Sequence, residues 1–243
     1  MGRRAFWKAE KLKNLSRCGW LFLGLAALTV FTGCRLFGSG HGDGSAIRLI
    51  DAVPDAAGLR VAVDGKRVFT GCRFRADTGY QGIPPGYYEV YAAAEREGKS
   101  AVHLPIESVS ALSRHRYTAV ALGIASGSPR PRLLIFDDRA PAGDPTPKDQ
   151  AAVSVVSAIP DAGQVDVALN GIVAFKNLRF SDRSEPLSLQ ASSYEWTVKE
   201  AGDYVVPLAG PSTLRLERGK SYLIVLMGRA SDQTVSIQEY CDE

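Results

Sequence analysis

Histidine is scarce in this chain, with three residues in 243, and cysteine is nearly so, with four. No CxxC pair, HExxH, Walker loop or GxSxG nucleophile elbow occurs, so the common metal, phosphate and acyl-transfer sites find no support. The nearest approach to an elbow, Gly123-Ile124-Ala125-Ser126-Gly127, has its serine one place off and runs into Pro129 rather than a helix. His41 stands among glycines and serines, where an imidazole cannot be held in the fixed geometry that catalysis needs. No uncharged run reaches the roughly 20 residues of a spanning helix, and helical spacing of apolar residues is hard to find after Cys34. The composition, 45% hydrophobic and 23% charged, excludes a disordered, collagen-like or polytopic membrane chain. We therefore expect no catalytic, cofactor-binding or metal-binding residues.

What is present begins with an N-terminal segment of distinct character. Arg3, Arg4, Lys8, Lys11, Lys13 and Arg17 face one acid, Glu10, and an apolar run from Gly19 to Gly33 follows. That order is the layout of a secretory signal over 1–33. It ends in Phe31-Thr32-Gly33-Cys34, which resembles the bacterial lipobox with Phe31 in place of the usual leucine. The resemblance implies that Cys34 is lipidated, and several acyl chains at about 0.8 kcal/mol per buried methylene make such an anchor effectively permanent. An uncleaved anchor and an ordinary signal with an incidental cysteine are the alternatives. Gly2-Arg3-Arg4-Ala5-Phe6-Trp7-Lys8 resembles the twin-arginine motif, but lies further from the apolar run than that motif does, which favours general secretion. The segment 34–45, rich in glycine and serine, reads as a flexible tether. The net charge of +3 also resolves here: 1–33 carries +5 and 34–243 carries −2, so nothing in the mature chain points to nucleic acid.

The rest of the chain repeats itself. Ala46-Ile47-Arg48-Leu49-Ile50-Asp51-Ala52-Val53-Pro54-Asp55-Ala56 returns as Ala152-Val153-Ser154-Val155-Val156-Ser157-Ala158-Ile159-Pro160-Asp161-Ala162, at an offset of 106. Over 46–91 against 152–197 there are 13 identities in 46 positions, and after one dropped residue Tyr117–Gly123 pairs with Tyr222–Gly228. Two domains follow, 46–138 and 151–243, with 139–150 between them as a proline-rich, semi-rigid linker.

Within each repeat apolar residues alternate, or form short β-branched and aromatic runs between Gly, Pro, Asn and Asp. Strands are expected at 47–53, 59–63, 66–69, 87–93, 117–122 and 133–136. Asp64-Gly65 and Asn170-Gly171 separate strand runs and suit two-residue type I′ turns, in which Gly65 and Gly171 supply positive φ. Pro54-Asp55 and Pro160-Asp161 read as strand-ending turns, in which proline removes a ladder donor and aspartate bonds the backbone two residues on. No neighbouring carboxylates support calcium at Asp55 or Asp161. The fold expected is all-β, two tandem antiparallel sandwiches of about seven strands each.

These residues, with Val61-Ala62-Val63-Asp64-Gly65 and Pro85-Gly86-Tyr87-Tyr88-Glu89-Val90, resemble the domain of unknown function 4397. The resemblance covers both repeats. It implies an immunoglobulin-like or transthyretin-like sandwich in an exported bacterial protein, often in tandem behind a lipobox, and assigns no catalytic residue. In the second repeat Ala191-Ser192-Ser193-Tyr194 replaces the Pro-Gly-Tyr-Tyr turn, so a reshaped loop is expected there. A looser likeness of layout links the chain to the periplasmic accessory protein of alginate O-acetylation.

Three residue groups remain. Tyr87, Tyr88, Tyr91, Tyr194 and Trp196 lie on one strand of each repeat, and in a regular strand Tyr87 and Tyr91 face opposite to Tyr88 and Val90. They read as core and interface packing, with one exposed ring that stacks on a sugar as the alternative. His103 and His115 have no histidine counterparts in the second repeat and read as surface residues, with a ligand or general-base role as the alternative. Cys72 and Cys241 are left for a disulfide in an oxidising envelope, although Leu178 at the position matching Cys72 suggests a buried apolar side chain instead. The function expected is that of a non-catalytic binding or scaffold protein, held to a membrane through Cys34 and engaging an envelope protein or polysaccharide. An accessory subunit of exopolysaccharide export or O-acetylation, and a hydrolase built around His103 and His115, are the alternatives.

Overall fold

The computed structural model describes residues 44–138, 149–203 and 205–242. The signal, the lipobox with Cys34, most of the tether with His41, and 139–148 of the linker lie outside the described residues. No helix occurs among those described. The first repeat consists of β1 (Ser45–Ala52), β2 (Gly58–Val63), β3 (Lys66–Cys72), β4 (Gln81–Ile83), β5 (Gly86–Arg96), β6 (Lys99–His103), β7 (Glu107–Ala111), β8 (Arg116–Leu122) and β9 (Arg132–Asp137). The second consists of β10 (Gln150–Ala158), β11 (Val165–Leu169), β12 (Ile172–Leu178), β13 (Leu187–Gln190), β14 (Ser193–Glu200), β15 (Pro207–Arg215), β16 (Ser221–Met227) and β17 (Ser236–Asp242).

Each repeat is a sandwich of two sheets. In the first, β4-β1-β8-β9 faces β3-β2-β5-β6, with β7 also paired to β5; in the second, β13-β10-β16-β17 faces β12-β11-β14-β15. The six strands read from the first repeat are all present. The short strands β4, β6 and β7 escaped that reading, because each has at most five residues and β6 and β7 are divided by Pro105, which has no N–H for the ladder. One pairing departs from the antiparallel expectation. β1 runs parallel to β8 and β10 parallel to β16, in matching registers. Their near-continuous apolar sequences fit strands covered on both faces.

The two hairpin turns form as their dipeptides require, with φ of 47° and 73° at Asp64-Gly65 and 50° and 79° at Asn170-Gly171. Each turn is tied to the neighbouring strand in the same way. The Asp64 carboxylate accepts from the Glu89 amide at 2.9 Å, and the Asn170 side-chain oxygen accepts from the Glu195 amide at 2.8 Å.

Each sandwich has its own core, around Leu49, Leu59, Val61, Val90 and Ala119 in the first repeat and Val155, Val167, Trp196, Val198 and Ile224 in the second. A third core joins them. Ile50, Ala52, Val120 and Leu122, on the outer face of β1 and β8, pack with Val156, Ala158, Leu223, Val225 and Met227 from β10 and β16. This contact was not foreseen from the two-domain division, whose linker residues 139–148 lie outside the described residues. The outward apolar residues of the central strands are buried by the other repeat, so the two sandwiches form one packed body.

Candidate functional site

The residues with chemistry to offer collect on the outer face of β3-β2-β5-β6. Along β5 the alternation is regular: Val90, Ala92 and Ala94 point into the core, and Tyr87, Glu89, Tyr91, Ala93 and Glu95 point out. Tyr87 is 66% exposed and Tyr91 36%. The core reading of these two rings is therefore corrected, while Tyr88 and Tyr194 pack partly buried against the cores and Trp196 is wholly buried.

Strand register supplies the neighbours. Ala62 lies opposite Tyr91 and Arg60 opposite Ala93 on β2; on β3, Arg67 lies opposite Ala62. On the other side of β5, His103 pairs with Ala93, Ser108 with Glu89 and Ser110 with Tyr87. Arg60, Ala62, Arg67, Tyr91, Ala93 and His103 line an open groove of about 210 Å³. Two groups in it are pre-oriented. Arg60 Nε lies 2.8 Å from the Glu95 carboxylate, and the Tyr91 hydroxyl donates to Glu89, whose carboxylate pushes the phenol pKa up. Tyr87 and Tyr91, four residues apart on one strand, stand about 13 Å apart along the sheet.

The same positions of the second repeat hold Ser193, Glu195, Thr197 and Lys199 on β14, with Asp166 opposite Lys199 on β11. The scaffold is duplicated but the aromatic and basic face is not. The Ala191-Ser192 connection was expected to be reshaped. It instead keeps the two-residue length of Pro84-Pro85, and Tyr194 donates to the Gln190 carbonyl as Tyr88 does to that of Pro84. A larger hollow of about 440 Å³ lies beside this connection, lined by Ser192, Arg215, Glu217 and Arg218 among others, without an aromatic ring.

The Pro-Asp motif has a structural task. Asp55 does not cap its own turn; its carboxylate accepts from the Ala125 amide at 2.7 Å, the Ser126 amide at 2.8 Å and the Ser126 hydroxyl at 2.6 Å. Asp161 accepts from the Ala230 amide, the Ser231 amide and the Ser231 hydroxyl at 2.8, 3.0 and 2.5 Å. The turn after the first strand is thus clamped to the turn after the penultimate strand in both repeats. Burial works against ionisation of Asp55 and Asp161, but the serine and alanine donors outweigh it and hold both carboxyls below the usual range. Ser126, the serine of the false elbow, is a partner in this clamp.

The remaining candidates are not brought together. His103 lies on the open face, whereas His115 precedes β8 on the other sheet, bonded through Nδ1 to the Asp137 carboxylate. No group of three His, Cys, Asp or Glu suited to a metal occurs among the described residues. Of the two readings of Cys72, the disulfide is not formed: Cys72 and Cys241 are not bonded to each other. Cys72 belongs to the core of the first sandwich, where burial pushes its thiol up to about 12, while Cys241 packs against the core of the second.

A tandem β-sandwich protein is the class these features define. The chain belongs to the family described as Domain of unknown function (DUF4397), whose model matches residues 45–150 and again 151–243. Comparison with curated proteins finds no match.

Proposed function

We propose that the protein is a non-catalytic binding protein of the cell envelope, anchored through a lipidated Cys34, and that the open sheet of its first repeat holds a polysaccharide strand. The observation that carries this reading is the pair of outward tyrosines on β5, Tyr87 and Tyr91, the second sharing a groove with Arg60, Arg67 and His103, on a face that the second repeat leaves without aromatics. A sugar ring offers an apolar C–H face and a rim of hydroxyls. The exposed phenol rings suit the first, since tyrosine combines an apolar body with a polar tip, and the guanidinium, imidazole and carboxylate groups beside them suit the second. The groove is open along the sheet, which favours a chain over a small enclosed ligand. Against the hydrolase reading stands the separation of His103 and His115 onto different sheets. The accessory role in exopolysaccharide export or O-acetylation would use the same face, and synthase or acetyltransferase genes beside this one would favour it.

Co-sedimentation of the full chain, in mild detergent, with polysaccharide purified from the producing envelope tests the reading. Tyr87→Ala with Tyr91→Ala is expected to weaken retention about ten- to a hundredfold, a loss of about 1.4–2.8 kcal/mol for the two exposed rings together. Both sites are solvent-facing, so the melting temperature stays within about 2 °C. Glu195→Ala with Thr197→Ala on the second repeat leaves retention unchanged. Equal retention of all variants would remove the site. Independently, Cys34→Ser releases the protein from membranes, and an unchanged membrane fraction would remove the anchor.

A further inference from the structure

We infer that the contact between the repeats is a self-recognition interface of the domain, holding without the linker, so that the chain is a covalently closed pseudo-dimer. The third core is built from matching positions. Ile50 corresponds to Val156, Ala52 to Ala158, Val120 to Val225 and Leu122 to Met227, and all eight are buried in it. The rim repeats the pattern in both directions. From the first repeat, Arg132 on β9 stacks over Phe180 and bonds the Ser181 hydroxyl, and Phe136 lies under Arg183, whose guanidinium is 4.0 Å from the ring centre. From the second, Tyr240 on β17, the counterpart of Phe136, donates to the Arg75 carbonyl at 3.1 Å. Arg75 in turn donates to the Thr234 carbonyl at 3.2 Å. Each repeat thus receives the partner's last strand on the turn after its own third strand. That reciprocity is the mark of an isologous, two-fold contact, in which one patch meets its own equivalent.

The same correspondences give the contact a direction. In a pairing of two first repeats, Arg75 would occupy the place of Ser181 and face Arg132, and Asp77 would replace Arg183 over Phe136. A like-charge pair would replace a hydrogen bond, and a carboxylate would replace a cation on a ring face. First therefore prefers second. The partner this surface fits is the complementary repeat, whether from the same chain or from another copy of it.

The test keeps the chain whole until the moment of measurement. A site-specific protease sequence is inserted within 139–148 of the C-terminally tagged protein, the purified protein is cut, and the tag is captured at about 1 μM. Tethering raises the local concentration into the millimolar range, so cutting exposes the affinity of the contact itself. The N-terminal fragment is expected to co-elute in a 1:1 ratio, at the native mass of the uncut protein. Phe136→Ala with Tyr240→Ala is expected to lower co-elution at least tenfold in the cut protein, with the uncut protein still monomeric and its far-UV spectrum retained. Fragments that separate on cutting, or that stay together only as aggregates, would overturn the inference. So would full co-elution of the double variant.

Discussion

Replacing Asp51 by Ser or Asn is expected to stabilise the protein at about pH 8 and to leave it nearly unchanged below the ordinary carboxyl pKa of 3.8. Asp51 lies on β1 between Leu49 and Val53, residues of the first core, and is fully buried. One carboxylate oxygen accepts from the Val53 amide at 2.9 Å, while the other is buried without a hydrogen-bond partner. Burial raises the pKa to about 7, against the lowering effect of the Val53 bond. Below 3.8 the group is protonated in both the folded and the unfolded chain and gives no pH dependence. Between 3.8 and about 7 the unfolded chain ionises and the folded one does not, so stability falls as pH rises, and above that range the full penalty persists. At about 1.4 kcal/mol per tenfold change in proton affinity, the gain at pH 8 is on the order of a few kcal/mol. Ser157 already fills the equivalent position of the second repeat, also buried. Denaturant titrations of wild type and variant across pH 4–8 check this. Parallel pH profiles would contradict it.

Asp55→Ala and Asp161→Ala are expected to act in the opposite sense. Each removes a carboxylate that accepts from two turn amides and a hydroxyl, at a cost of about 1–3 kcal/mol at neutral pH. The sites share no partner, so the double variant should lose nearly the sum. Because the folded pKa is lowered in both cases, the stabilisation is present above 3.8 and is lost as pH falls through the folded value. Unfolding free energies at about pH 7 and about pH 2 separate this from a packing defect. The penalty should shrink at the lower pH, and an equal penalty at both would count against the clamp.

The architecture was legible because repetition, alternation and turn chemistry all pointed the same way. The open face was half legible. The Asp64-Gly65 turn sets Ala62 opposite Arg67, and alternation sets Tyr87 and Tyr91 apart from Val90, yet the sequence could not say which side of β5 met the other sheet. The partner of Asp55 lies 70 residues away. The clue was the Ala125-Ser126 pair, which returns as Ala230-Ser231 at the offset of the penultimate strands. The third core was signalled by Ile50 and Val120, apolar residues facing away from the first core, but three prolines in the linker pointed toward separation. Asp51 breaks the inward alternation of Leu49 and Val53, and nothing local shows that it is buried.

The proposed polysaccharide site lies on the first repeat alone, on the outer face of β2, β3 and β5. Titrating envelope polysaccharide into the isotope-labelled full chain and mapping amide chemical shifts tests it most directly. Perturbations are expected to concentrate at Arg60, Ala62, Arg67, Tyr87, Tyr91 and His103, with the matching face around Glu195 and Thr197 silent. Perturbations centred on the second repeat, or none at saturating polysaccharide, would contradict it.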